Sequence, residues 1–490
     1  MSIIKIYFPE GFLAFSAIAL LIFNTLLIHF LKFKMPILNV EILHQIFTIL
    51  VLLLFLLSNI HYFNIGFDFF FFSSFFSQNL KFFLIISSIF FLILIWRSFI
   101  LQKLNFFEYF IILLLVLVGL LLLLNAYNFI SIYLCLEIQA LGFYILASFD
   151  RTSIFSSVAG LKYFISSSLI SGIFLFGAVC IYGSFGTLNI YHIKFLFLSF
   201  FEYSNHVSFL FLIIGFFLIL NTLLFKLVIA PFHFWFPQIY VGSPLSSTIL
   251  FSTLPKIVLF HLFLQIWTII PQDINFFNTI YLLIGFYSIF WGIFKMLKQK
   301  TLKNIYIFSS ISNMGLLLCL SINSSLESIS VIYFYLFIYL FTAFLLWFSL
   351  ILSVLNNKSI VFLNYPLFIT KFSNILKEHY LFALATCFIF FSLAAIPPFC
   401  GFFSKTYLYL ILLNSYQYEV SIFLIYLGVF GVYYYIKFLK ILFSEPFHNY
   451  NTFSFYSFIY LNLDVTAYSY LLGSLIFLGF NPNIFLLFFC

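Results

Sequence analysis

Five charged residues stand inside apolar runs long enough to cross a bilayer: Glu137, Lys162, Lys226, Lys256 and Lys405. Glu137 lies in SIYLCLEIQALGFYIL, Lys226 in LNTLLFKLVIAPFHFWF and Lys405 in IPPFCGFFSKTYLYL. A charge at bilayer depth costs about 2.5–3.5 kcal/mol on insertion scales, so its default meaning is functional, with a partner or a water-filled path. A lysine shielded from water holds its proton less firmly, and a nearby carboxylate makes it hold that proton more firmly. Moving the carboxylate nearer or further therefore switches the lysine between holding and releasing a proton. A set of such groups with water between them is a proton relay. The competing reading for any one lysine is a side chain near a helix end that snorkels to the interface. It applies best to Lys162, near the start of its run, and least to Lys256 and Lys405, in the middle of theirs. Glu137 is central, and its short side chain cannot reach the surface.

The elements that must hold these charges are membrane helices. Of 490 residues, 65% are hydrophobic and 7% charged, and the mean hydropathy is +1.20. A soluble domain has about half apolar and a quarter charged residues. The apolar runs fall near 11–31, 44–62, 79–100, 108–125, 128–148, 156–182, 207–236, 244–268, 277–295, 304–322, 328–355, 380–414, 417–443 and 467–490. Backbone groups in lipid must be satisfied within the segment, and the alternation of a barrel strand is absent. The expectation is an all-α polytopic membrane protein of about 14 transmembrane helices.

Two runs are punctuated by proline. Pro231 follows Lys226, and Pro397 with Pro398 precedes Lys405. Proline removes an intrahelical hydrogen bond and clashes with the preceding turn, so both helices are predicted to be broken. They are the seventh and twelfth runs, five apart. Two inverted five-helix repeats would account for that spacing. The organisation expected is residues 1–107 for three N-terminal helices, 108–270 for the first repeat, 271–445 for the second, and 446–490 for a loop and a last helix.

Composition excludes several classes. The cysteines Cys135, Cys180, Cys319, Cys387, Cys400 and Cys490 form no CxxC pair and have no histidine at metal-binding spacing, so no metal site is expected. No glycine-rich phosphate loop follows a strand signal, so no nucleotide cofactor is expected in the chain. The net charge of +8 comes from basic loops and intramembrane lysines, which does not indicate nucleic acid. With the termini on one face, 14 basic residues fall in loops of the opposite face and three, Lys5, Lys81 and Lys194, on the terminal face. The positive-inside rule then puts the termini outside. The 81 Phe and 32 Tyr suggest A+T-rich organellar coding, and residues 1–10 lack the character of a transit peptide.

Several stretches resemble a known family. LEIQALGFYILASF, LKYFISSSLISGIFLFGAVCIYGSFGTLNI, FKLVIAPFHFWFPQIYVGSP, STLPKIVLFHLFLQIW, LKNIYIFSSISNMG and SLAAIPPFCGFFSKTYL are similar, in order, to the membrane subunits related to cation/proton antiporters. Within that family they are most similar to the subunit-2 branch of respiratory NADH dehydrogenase, complex I. The resemblance covers about residues 120–445. It implies that Glu137 is the carboxylate of the fifth helix and Lys226 its partner on the broken seventh. It further implies that Lys162 modulates that pair, that Lys256 is the central connecting lysine, and that Lys405 is the twelfth-helix residue, a lysine in the subunit-2 branch. The family's usual His in SSISH is Asn313 here, which cannot titrate, so a proton step there would run through water or Lys303. The acidic residues usual in the segment after the first break are Gln238 and Val241. His233 is either hydrogen-bonded to carbonyls freed by the break or a relay member.

The function implied is proton translocation as a membrane-arm subunit of NADH:ubiquinone oxidoreductase, with no redox centre in the chain. FMN, iron–sulfur clusters and ubiquinone are then expected elsewhere in the complex. Expected partners are other antiporter-like and small membrane subunits and lipids, with no nucleic acid, in the mitochondrial inner membrane with the termini toward the intermembrane space. Three alternatives share the same charges: an Mrp-type cation/proton antiporter subunit, a hydrogenase membrane subunit, and a structural spacer whose buried charges only hold the bundle together.

Overall fold

The computed structural model describes residues 2–31, 35–58, 64–66, 70–102, 107–203, 206–270, 275–323, 325–356 and 380–444, with Ser469 and Gly473. The chain is a multi-pass membrane protein, and 11 helices among the described residues are long and apolar enough to cross a bilayer. The first thirteen apolar runs fall on helices. The fourteenth, 467–490, lies outside the described residues apart from Ser469 and Gly473.

The chain divides into two compact units, residues 1–227 with 242–273 and residues 228–241 with 274–490. In the first unit, helices α1 (Ser2–Leu31) and α2 (Met35–Ser58) are followed by a short antiparallel hairpin, β1 (Asn64–Gly66) and β2 (Phe71–Ser73), which pairs Ile65 with Phe72. Next come α3 (Phe75–Gln102), α4 (Phe107–Asn125), α5 (Phe129–Ala147), α6 (Ile154–Phe185), α7 (Ile190–Tyr203) and α8 (His206–Leu227). Helix α9 (Trp235–Gly242) intervenes, and α10 (Leu245–Ser252) and α11 (Leu254–Trp267) complete the unit.

Local chemistry sets the ends and approaches of these helices. Asn128 starts α5 with a capping box: its side chain accepts from the Ile130 amide at 3.0 Å, while Ser131 Oγ accepts from the Asn128 amide at 3.2 Å. Helices α6 and α8 come close through Gly177 and Gly215. A Cβ at Gly177 would stand 3.0 Å from the Gly215 carbonyl oxygen, and one at Gly215 would stand 2.9 Å from that of Gly177. Small residues let membrane helices pack at this range, where dispersion replaces the absent hydrophobic drive.

The second unit contains the segment before Gly242 and then α12 (Asn275–Met296), α13 (Leu302–Ser321), α14 (Leu326–Asn356), α15 (Tyr380–Ala394), α16 (Cys400–Asn414) and α17 (Tyr418–Ser444). Helix α13 is buried along nearly its whole length, polar residues included, and α12 and α14 pack on it.

Some expectations need correction. Lys81, assigned to a terminal-face loop, is buried in α3 and pairs with Glu10 of α1, itself buried; Glu137 is therefore not alone among carboxylates within a span. The pair satisfies two charges that would each be costly alone. Lys303, counted with the basic loops, is buried in α13. The stretch after α6, read as connection, forms α7, whose Ile190, Ile193 and Phe197 are buried on one face. The eighth run is interrupted at Thr253, between α10 and α11, with Pro255 in the first turn of α11.

Candidate functional site

Both proline-bearing runs are broken, and in the same way. Helix α8 ends at Leu227; Val228 adopts φ 66°, and the Ala230–Pro231 bond is cis. Helix α15 ends at Ala394; Ala395 adopts φ 59°, and the Pro397–Pro398 bond is cis. In each break the left-handed residue stands three positions before the cis proline. The end of α15 is a Schellman cap: the Ile396 amide donates to the Phe391 carbonyl and the Ala395 amide to the Ser392 carbonyl, both at 3.1 Å. The next carbonyl, that of Leu393, accepts from Lys405 Nζ at 3.2 Å. A cation on the carbonyl end of a helix is favoured by the helix dipole.

Gly401 makes that reach possible. A Cβ there would lie 1.8 Å from the Ser392 carbonyl oxygen, so only glycine lets the first turn of α16 approach the end of α15. A cavity of about 20 Å³, measured as the space open to water centres, lies beside Lys405 and is lined in part by Asn313, Tyr335, Tyr339, Thr342 and Ser404. That measure needs about 10–15 Å³ for one water.

In the first unit the structure brings Glu137 and Lys226 within electrostatic reach without a direct ion pair. Glu137 Oε1 is buried and has no hydrogen-bond partner among the described residues. Nearby, Ser167 Oγ donates to the Tyr144 hydroxyl, which also lies in the field of Glu137. Lys226 occupies the last turn of α8, where carbonyls attract a cation; Lys256, 2% exposed, occupies the first turn of α11, where amides repel one. Helix α11 packs on α8. Lys162 is exposed on α6, among the large exposed side chains Leu161, Phe164 and Ile165.

His233, within the first break, accepts at Nε2 from the indole Nε1 of Trp291 at 2.6 Å, and Trp291 also carries the Lys295 ammonium 4.7 Å from its ring centroid. Asn313 is buried in α13 and accepts at Oδ1 from the Tyr335 hydroxyl at 3.1 Å. No group of three or more His, Cys, Asp or Glu residues that could hold a metal ion occurs among the described residues.

Residues 126–432 match the NADH:quinone oxidoreductase/Mrp antiporter transmembrane family. The chain is 32% identical over 345 residues to NADH-quinone oxidoreductase subunit N of Pelagibacter ubique, covering 70% of each protein. It is 31% identical over 351 residues to NADH-ubiquinone oxidoreductase chain 2 of Marchantia polymorpha, covering 70% of this chain and 68% of that one. Its fold is similar to a chain of respiratory complex I from Thermus thermophilus, with a TM-score of 0.73 at 21% identity over 98% of both chains. It is also similar to a chain of the Mrp complex from Dietzia, with a TM-score of 0.75 at 18% identity over 98% of this chain and 96% of that one. The match over most of its helices, together with two relatives above 30% identity, makes this chain a member of the NADH:quinone oxidoreductase/Mrp antiporter transmembrane family.

Proposed function

We propose that the chain is a proton-translocating subunit in the membrane arm of an NADH:quinone oxidoreductase. The observation that carries this reading is the pairing of Glu137 with Lys226: a carboxylate with one oxygen lacking a hydrogen-bond partner among the described residues lies within electrostatic reach of a lysine at the end of a broken helix. A tight ion pair would lock both charges. A separated pair leaves each able to respond to a change in the other. Names of the relatives, subunit N and chain 2 of NADH oxidoreductases, favour this complex over an antiporter.

In this reading a redox-driven change in charge or hydration near Glu137 releases the proton of Lys226. Lys256 receives it, and Lys405 passes it to the far side. Lys162 tunes the pair from α6. FMN, iron–sulfur clusters and ubiquinone would belong to other subunits, so the chain contributes to the enzyme through translocation. The relatives and the organellar composition support a place in the mitochondrial inner membrane, and the excess of basic residues in the opposite loops favours termini toward the intermembrane space.

Purification of the chain in its native assembly tests the identity of the complex: polypeptides carrying flavin and iron–sulfur clusters are expected to accompany it. Partners lacking them, with cation/proton exchange that needs no NADH oxidation, would replace this reading by the antiporter one. Glu137→Gln in the assembled complex is expected to lower NADH-driven proton translocation into vesicles. Wild-type translocation would leave the buried charges a purely structural role.

A further inference from the structure

Neither expectation for His233 accounts for its partner. The side chain sits in the first break, in the same unit as α12, and its Nε2 meets the indole N–H of Trp291 at 2.6 Å. An indole nitrogen donates and never accepts. Nε2 must therefore present a lone pair, which makes His233 a neutral imidazole with its proton on Nδ1. A relay histidine takes a proton at one nitrogen and gives one up at the other. Here Nε2 ends on the indole, and Nδ1 is buried with the Pro231 carbonyl in its reach but no hydrogen bond of normal geometry. Neither group can carry a proton onward. The arrangement is closed to relay and open to one change, the gain of a proton at Nε2.

That change would undo the contact. An imidazolium donates at both nitrogens, so two N–H groups would face each other where His233 and Trp291 meet. Lys295 adds to this. Its ammonium stands 4.7 Å from the centroid of the same indole, and it is the charged group whose field reaches the ring of His233. Helix α9, which continues the chain after the break, has no charged residue. A protonated His233 would therefore place a second cation at one tryptophan, and neither cation has a carboxylate partner among the described residues.

The contact is also the anchor of this stretch. Of residues 231–234 only His233 is buried; Pro231 and Phe234 are exposed and Phe232 is half-buried. Trp291 is steadied on α12 by Tyr287, with the two rings stacked at 5.9 Å between centroids. It lies about 7.5 Å before the end of α12 at Met296, near the membrane boundary, where water can deliver a proton.

We propose that His233 and Trp291 form a proton-operated latch: the neutral ring holds residues 231–234 on α12, and the imidazolium formed on acidification releases them. In this step a hydronium ion gives a proton to Nε2. One O–H bond breaks as one N–H bond forms, and the hydrogen bond from Trp291 is lost. The latch is closed at alkaline pH and opens as pH falls through the titration of the ring. It does not depend on the translocating role assigned above. It makes the first break a place where acidity changes how firmly the backbone is held; the second break, AIPPFC, has no histidine.

The test is amide hydrogen exchange of residues 229–241 in the purified assembled complex, at pH 8 and pH 5, on either side of the ordinary imidazole value of about 6.5. The amides of Phe232 and Phe236 donate to the carbonyls of Ile229 and His233 at 2.9 and 3.1 Å, so their exchange reports the opening. Wild-type rates are compared with those of two variants at the same pH. His233→Gln supplies an amide oxygen that accepts from the indole and does not titrate. Against it the wild type is expected to exchange equally at pH 8 and about fivefold faster at pH 5, the factor that loss of one hydrogen bond allows. Against Trp291→Phe, which lacks the donor at every pH, the wild type is expected about fivefold slower at pH 8 and equal at pH 5. Equal rates for the wild type and Trp291→Phe at pH 8 would overturn the latch. So would wild-type rates that keep the same ratio to both variants at the two pH values.

Discussion

At the first break the chain leaves α8 through Val228 and turns at a cis proline; at the second it leaves α15 through Ala395 and does the same. Aligned on these two left-handed residues, the positions do not carry the same side chains. Lys226, two residues before Val228, has Leu393 as its counterpart. Lys405, ten residues after Ala395, has Gln238 as its counterpart. Yet Lys405 reaches back to the carbonyl of Leu393, the residue that corresponds in position to Lys226. What the two breaks share is a cation at a newly made helix C-terminus. They differ in the side from which the backbone delivers it. On this comparison the shared feature is a lysine at the freed end of a helix, and the sequence position that supplies it differs between the breaks.

The largest effect should come from moving that charge. Lys405→Met is expected to stop translocation through the second unit, and adding Leu393→Lys should restore part of it, read as NADH-driven acidification of vesicles. A double variant as inactive as the single would show that the side of delivery matters after all. Next in size is Gly401→Ala, whose methyl group would overlap the Ser392 carbonyl; overpacking of this kind costs about 1–3 kcal/mol, visible as earlier thermal unfolding of the complex. The matching residue in the first break, Phe234, is 67% exposed, so Phe234→Ala should move the same midpoint far less.

Trp291→Phe removes the indole donor to His233 and should cost about 1 kcal/mol, measured in the same unfolding experiment. Smallest is the relief of a left-handed residue. Ala395→Gly should stabilise by up to about 1 kcal/mol, because about 1–2 kcal/mol of steric cost is offset by about 0.5–1 kcal/mol of glycine entropy. Val228→Gly should show no such gain, because Val228 is buried and removing its side chain leaves a cavity.

Much of the helix plan was legible because lipid makes each span carry its own signal: an apolar run must satisfy its backbone locally, and a proline must interrupt it. Features that depend on a partner far along the chain were not. Nothing beside Lys81 in the sequence points to Glu10, 71 positions away, and a lysine near the start of an apolar run looks like a loop residue. Helix α7 was hidden because its one-sided burial occupies only three or four turns of a chain that is apolar almost everywhere. The interruption at Thr253 was missed although Pro255 marks it, since proline in the first turn of a helix reads equally as a beginning. Around the candidate site, Glu137 and the lysines were visible as charges, but the reach of Lys405 back to the Leu393 carbonyl was not, because it depends on the close approach of two helices at Gly401.

The central claim is that Lys226 acts by exchanging a proton and does more than supply a fixed positive charge. Lys226→Arg keeps the charge at the end of α8 but replaces the amine with a guanidinium that stays protonated in proteins. Measured as NADH-driven proton translocation by the assembled complex in vesicles, this variant is predicted to assemble like the wild type and to translocate no better than Lys226→Met. Translocation by Lys226→Arg at the wild-type rate would contradict the account and leave Lys226 a structural cation.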